Sequence, residues 1–227
     1  MAAKLKLSKR YGLSKLDPCW REKIFASIHS DRLKLAVSVL SATGCRPSEL
    51  ERGVVVRACN GQLHFGIQGS KCDSETGRGQ PVRVLVVENS TQWGQYLDQQ
   101  LANQPGQSMR VCYDAGGVSQ RLREKSREIW PRRKSLISAY SYRHFMGKSL
   151  KESSVGADII ASVLGHATDY SQAVYGRAGG GKRSVGQHGI VQASATNPIR
   201  HSPKTDRLAR FIKPDKPATT PVAASTS

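Results

Sequence analysis

Apolar residues recur at helical spacing near the start of the chain. Trp20, Ile24, Phe25 and Ile28 follow the helix-start pair Asp17-Pro18. Asp31 is placed to cap a second helix through Leu33, Leu35, Ala36, Val37, Val39 and Leu40. That run is apolar on most sides, which puts it at the centre of the core. Gly44 ends it, and Arg46-Pro47-Ser48-Glu49-Leu50 reads as a short helix with Pro47 in its first turn. The period then changes. Val54-Val55-Val56, Leu63-His64-Phe65-Gly66-Ile67 and Val82-Arg83-Val84-Leu85-Val86-Val87 are strand-like runs, and Asn60-Gly61 is a hairpin turn between the first two. A long polar loop runs from Gly69 to Pro81. Helical spacing returns at about 90–103, 117–130, 138–152, 156–164 and 168–176. The pattern predicts an α+β chain, mainly α-helical, with a small three-stranded antiparallel sheet. Residues 1–16 form a basic lead-in, 17–176 one domain, and 177–227 a basic, mostly disordered tail.

Charge changes the picture. The 227 residues carry 35 Lys and Arg against 17 Asp and Glu, a formal net charge of +18. Such an excess favours a polyanionic partner, because Lys and Arg displace the counterions condensed on nucleic acid. Seven of these cations lie between Arg121 and Lys134, with Glu124 and Glu128 among them. This amphipathic stretch is either a solvated helix face or a phosphate-contacting one. From Arg177 onward nine Lys and Arg stand against two Asp, and Leu208-Ala209-Arg210-Phe211-Ile212 is a short amphipathic island. The five cysteines include no CxxC pair, which fits reduced thiols better than a disulfide framework or a zinc site. The N-terminus lacks the apolar core of a signal peptide, and no stretch approaches the roughly 20 apolar residues that cross a bilayer. A cytoplasmic, nucleoid-associated protein with no membrane partner is expected.

The most specific chemistry lies in Arg143-His144, Gly165-His166 and Tyr175. Arginine grips a phosphate with paired donors on a planar fork. Tyrosine offers an oxygen nucleophile. Histidine exchanges hydrogen bonds with a phosphate oxygen near neutral pH. Together they point to chemistry on a phosphodiester, with the protein as covalent intermediate.

These residues carry a family resemblance. Thr43-Gly44-Cys45-Arg46-Pro47-Ser48-Glu49-Leu50 resembles the first arginine box of the tyrosine recombinases, the phage-integrase family. Tyr140-Ser141-Tyr142-Arg143-His144 resembles their second box, usually H-x-x-R-H, and Leu164-Gly165-His166 resembles their L-G-H motif. Tyr175 falls where the nucleophile belongs, nine positions after His166, which is 23 after Arg143. The resemblance covers roughly 17–176 and implies the catalytic fold of that family. It implies Arg46 and Arg143 as stabilisers of the phosphate charge, His166 as its hydrogen-bond partner, and Lys71 as the acid that protonates the leaving 5′ oxygen. Arg78, in the same loop as Lys71, reads as a backbone-phosphate contact. The expected activity is site-specific cleavage and rejoining of double-stranded DNA through a 3′-phosphotyrosyl bond. It needs no ATP, metal or other cofactor, and is commonly carried out by a homotetramer on DNA. The Leu208–Ile212 island is then either a docking segment for a neighbouring subunit or a transient helix. Two alternatives keep the fold: a topoisomerase-like nick-and-reseal enzyme and a DNA-binding regulator without turnover.

The sequence departs from the family in two places. Tyr140 stands where the second box usually has histidine. A neutral tyrosine donates a hydrogen bond but accepts a proton poorly near pH 7, so a phosphate-orienting role fits and a general-base role does not. His144 reads as a packing or supporting residue. The second departure is the brevity of the lead-in. Relatives carry an N-terminal helical domain that closes around DNA, so a minimal enzyme, a catalytic fragment and a regulatory relative are all compatible with the sequence.

Overall fold

Eight α-helices and five strands alternate along the described part of the chain. The structure is a computed structural model, which describes Leu13 and residues 16–73, 75–171 and 188–209. Helices α1 (Trp20–Ala26), α2 (Asp31–Thr43) and α3 (Pro47–Arg52) come first. Strands β1 (Val54–Cys59), β2 (Gln62–Gln68) and β3 (Val82–Glu88) follow, then α4 (Gln92–Ala102), β4 (Ser108–Val111), α5 (Ala115–Ile129), α6 (Ala139–Glu152) and α7 (Ala157–Leu164). The last elements are β5 (Ile190–Ala195) and α8 (Pro203–Ala209). No helix among the described residues is long and apolar enough to cross a membrane.

The strands form one antiparallel sheet in the order β4-β1-β2-β3-β5. The β1–β2 turn places Asn60 and Gly61 at φ 51° and 73°, the left-handed pair that a two-residue hairpin demands. One residue from every strand lines up across the sheet: Met109, Val56, Phe65, Leu85 and Ala193. Val56, Phe65 and Leu85 are fully buried in the same core as Leu33, Ala36, Val37 and Leu40 of α2. Helix α6 turns Ala139, Tyr142, Arg143, Met146 and Leu150 inward at helical spacing. Trp20 of α1 packs edge-on against Tyr142, with ring centroids 4.8 Å apart, and fixes this face.

The sheet has five strands where sequence patterning predicts three. Both additions are edge strands. Strand β4 is only four residues long and carries Arg110 on its exposed side. Edge pairing is made by backbone groups and needs no apolar run, so neither addition has a strong pattern. Strand β5 also overturns the expectation of a mostly disordered tail across 188–209. It pairs with β3 from Arg83↔Ala195 to Val87↔Ile190. Its run, Ile190-Val191-Gln192-Ala193-Ser194-Ala195, holds only two large apolar residues. Asp31 is not a cap. Ser30 holds that position, and Asp31 opens the first turn of α2. Of the helix expected at 168–176, Thr168 forms an isolated bridge with Arg200, residues 169–171 form a single tight turn, and 172–176 lie outside the described residues, as do 210–212 of the amphipathic island. In α5, which carries much of the basic stretch, Val118, Leu122 and Ser126 face inward, while Arg121 pairs with Glu124 and Lys125 with Glu128 on the outer surface.

Candidate active site

Two helix ends build the site. The first is the C-terminus of α2. Thr43 Oγ1 donates to Val39 O, Gly44 turns left-handed at φ 60°, and its N–H returns to Leu40 O. The chain then reverses through buried Cys45 into Arg46, which caps α3 with Pro47 as the first helical residue. The second is the C-terminus of α7. Gly165 is left-handed at φ 63°; its N–H bonds to Ser162 O and that of His166 to Ala161 O. This double return is the Schellman motif, and it turns His166 back over the helix end.

Arg143 ties the two ends together. It is 1% exposed. Its Nη1 donates to Gly44 O at 3.2 Å, and its Nη2 donates to Leu164 O and lies 3.2 Å from His166 Nε2. A guanidinium carries only donors, so His166 Nε2 accepts and the ring proton sits on Nδ1. Burial, reinforced by Arg143, Arg46 and Arg83, pushes His166 down to about 3. The ring is therefore neutral at pH 7, a hydrogen-bond donor and a poor base. Burial, with Glu49 beside it, pushes the Cys45 thiol up to about 11, which removes it as a competing nucleophile.

Arg46 is held by Glu49. Its backbone N–H donates to Glu49 Oε2 at 2.8 Å and its Nη1 to Oε1 at 2.5 Å. Glu49 also receives a two-pronged contact from Arg83, whose Nη2 and Nη1 lie 2.7 Å from Oε2 and 3.2 Å from Oε1. Burial opposes ionisation of Glu49, but Arg83 and Arg46 overcome it and hold the carboxyl at about 2. Arg83 Nε donates to Val163 O at 3.0 Å, so β3, α3 and α7 meet at one guanidinium.

Gly165 lies directly over that guanidinium. A Cβ there would stand 2.7 Å from Arg83 Nη1, on a backbone that L side chains rarely adopt. Gly165→Ala is therefore expected to cost about 2 kcal/mol in urea-induced unfolding. An alanine variant as stable as the parent would contradict this packing.

The loop that carries Lys71 is an extension of the β2–β3 hairpin. Gly69 N donates to Pro81 O, and Asp73 and Arg78 exchange backbone bonds at 3.0 Å. Ser70 and Ser48 hydroxyls meet at 2.7 Å, which anchors the residue before Lys71 to the first turn of α3. Lys71 itself is exposed. Tyr140 is half-buried one helical turn before Arg143, on the same side of α6. The structure thus gathers Arg46, Arg143 and His166 directly, and places the Lys71 loop beside them. Tyr175 lies outside the described residues.

Sequence reasoning misses two members of this cluster and undervalues a third. Arg83 is read only as part of a strand, although an arginine on the inward side of an apolar strand signals a buried ion pair. Buried Gln80 is missed as well. Its amide donates to His166 O at 3.1 Å, and its carbonyl accepts from Asn197 N at 2.9 Å. Glu49, the acid close enough in sequence to form a salt bridge with Arg46, does so, but its second partner, Arg83, is not read from the sequence.

No family model matches the chain, and no curated protein does. Solved structures do. The crystal structure of XerA recombinase matches with a TM-score of 0.52 at 18% identity, over 70% of this chain and 58% of that one. XerH site-specific recombinase, bound to difH substrate in a pre-cleavage complex, matches with a TM-score of 0.51 at 16% identity, over 78% and 53%. The chain has the tyrosine-recombinase catalytic fold. It spans a little over half the length of these two recombinases.

Proposed function

We propose that this chain is a site-specific DNA recombinase that cleaves and rejoins DNA through a 3′-phosphotyrosyl bond at Tyr175. The observation that carries this reading is the convergence of Arg46, Arg143 and neutral His166 where two helix ends meet. Attack on a phosphodiester builds negative charge on the non-bridging oxygens, and fixed cationic donors stabilise that charge most in the transition state. Arg46 and Arg143 supply the charge. His166 hydrogen-bonds the phosphate or helps orient the nucleophile, and Tyr140 orients the phosphate with its phenol. Tyr175 Oη bonds to phosphorus and releases its proton to solvent. The bond from phosphorus to the 5′ oxygen breaks, and Lys71 gives that oxygen a proton as general acid. Attack by a second 5′ hydroxyl reverses the step, so the energy of the bond is retained. Double-stranded DNA is the partner, bound by a homo-oligomer, with the tetramer as the assembly for strand exchange.

The test is covalent capture. The protein is incubated with a pool of nicked duplexes of randomised sequence, and denatured complexes are recovered. The expected result is an adduct whose nucleotide-bearing peptide contains Tyr175. Recovery of DNA-bound protein with no covalent adduct would instead favour a binding regulator.

A further inference from the structure

We propose that Arg83 is a positioning residue for Arg46: it neutralises Glu49, so that Glu49 orients the Arg46 guanidinium without cancelling its charge. This rests on the recombinase reading of the site. The side chains of Arg83 and Glu49 are both fully buried, while that of Arg46 is 12% exposed. Glu49 uses both oxygens on both arginines, one contact to each arginine from each oxygen. Without Arg83, Glu49 and Arg46 would form a closed neutral pair, and an incoming phosphate would compete with a carboxylate for its own donor. With Arg83 the trio keeps one net positive charge, and Arg143 adds a second. The same guanidinium also holds Val163 O, directly ahead of the Leu164-Gly165-His166 turn. Arg83 therefore touches the supports of both arms of the site while lying behind them.

A purely structural ion pair makes a different demand. Packing alone tolerates apolar replacement of both partners. It gives no reason for the loss of Arg83 to be relieved by neutralising Glu49 at the level of the chemical step. Arg83→Met, Glu49→Gln and the double variant separate the two roles. Cleavage is read at saturating concentration of a duplex recovered by covalent capture, below the unfolding temperature of each variant. Arg83→Met is expected to slow adduct formation by about a hundredfold, the scale of one lost electrostatic stabiliser, with DNA affinity nearly unchanged. The double variant is expected to recover about tenfold of that loss. A single variant that cleaves at the parent rate, or a double variant no faster than the single, would overturn the proposal.

A second readout needs no DNA, and so stands apart from the recombinase reading. The His166 ring is followed by NMR during acid titration. Among the described residues, the charged groups that face it are Arg143 from α6, Arg46 and Glu49 from α3, and Arg83 from β3. Arg83→Met removes one cation and leaves Glu49 less compensated, so the His166 midpoint rises. Arg83→Lys keeps the charge and holds the midpoint low, and the double variant returns it toward the parent value. An unmoved midpoint in Arg83→Met would refute the electrostatic role even if the protein cleaves DNA. The shifts without any adduct from the parent would leave the pairing intact and remove only the recombination step.

Discussion

Arg143→Lys is expected to slow covalent capture of DNA by about a thousandfold and to lower stability by about 3 kcal/mol. The two losses share one cause. The Arg143 guanidinium reaches two carbonyls on separate helix ends, Gly44 O and Leu164 O, and places a third donor against His166 Nε2. Both carbonyls lie at the negative ends of helix dipoles, where a buried cation is favourable. A lysine ammonium is a single point on a flexible stem and does not span that separation. The carbonyl it abandons stays buried, and His166 loses the contact that fixes its tautomer. The measurement is the rate of adduct formation at a temperature where the variant is folded, set beside its urea unfolding curve. A lysine variant that captures DNA within a few-fold of the parent rate would show that the forked geometry is dispensable.

The parts of the site legible in the sequence are those whose chemistry is local. Thr43-Gly44-Cys45-Arg46-Pro47 can be read because each residue answers a backbone need within one helix end: a hydroxyl cap, a left-handed glycine, and a proline at the first helical position. Leu164-Gly165-His166 can be read for the same reason, since glycine and the residue after it complete one hydrogen-bonded cap. The pairing of Arg83 with Glu49 spans 34 positions and exists only because β3 runs beneath α3 and α7. No local rule encodes it. The strand pattern holds a clue in the arginine that shares the inward face with Leu85 and Val87. Its partner is set by tertiary packing. The sheet divides in the same way. Its three central strands announce themselves through buried apolar alternation, whereas β4 and β5 are recruited by backbone pairing along edges. Strand β5 further lies in a stretch whose overall composition is that of a solvated tail.

Acid is expected to unfold this protein through its own site, and Glu49→Ala to weaken it at neutral pH by about 4 kcal/mol. The site holds two groups whose folded-state pKa is depressed: Glu49 at about 2 against an ordinary 4.5, and His166 at about 3 against an ordinary 6.5. In each case the unfolded chain binds the proton more readily than the folded one, so stability rises with pH across the interval between the two values. Both contributions are complete above about pH 6.5. The His166 contribution fades first as pH falls from 6.5 toward 3, because a buried neutral ring must take up charge beside three guanidiniums. The Glu49 contribution fades from 4.5 toward 2, because protonation leaves Arg83 facing an uncharged acid. Each is worth a few kcal/mol at roughly 1.4 kcal/mol per pH unit of displacement. Urea unfolding measured from pH 8 to pH 3 should therefore be level at the alkaline end and fall steadily below 6.5. Glu49→Ala should start lower, since it strands the Arg83 charge in a dry site. It should then lose the added steepness below pH 4.5 while keeping the part that belongs to His166. Unfolding free energy that stays constant from pH 7 to pH 3 in the parent protein would mean that neither group is held as the geometry requires.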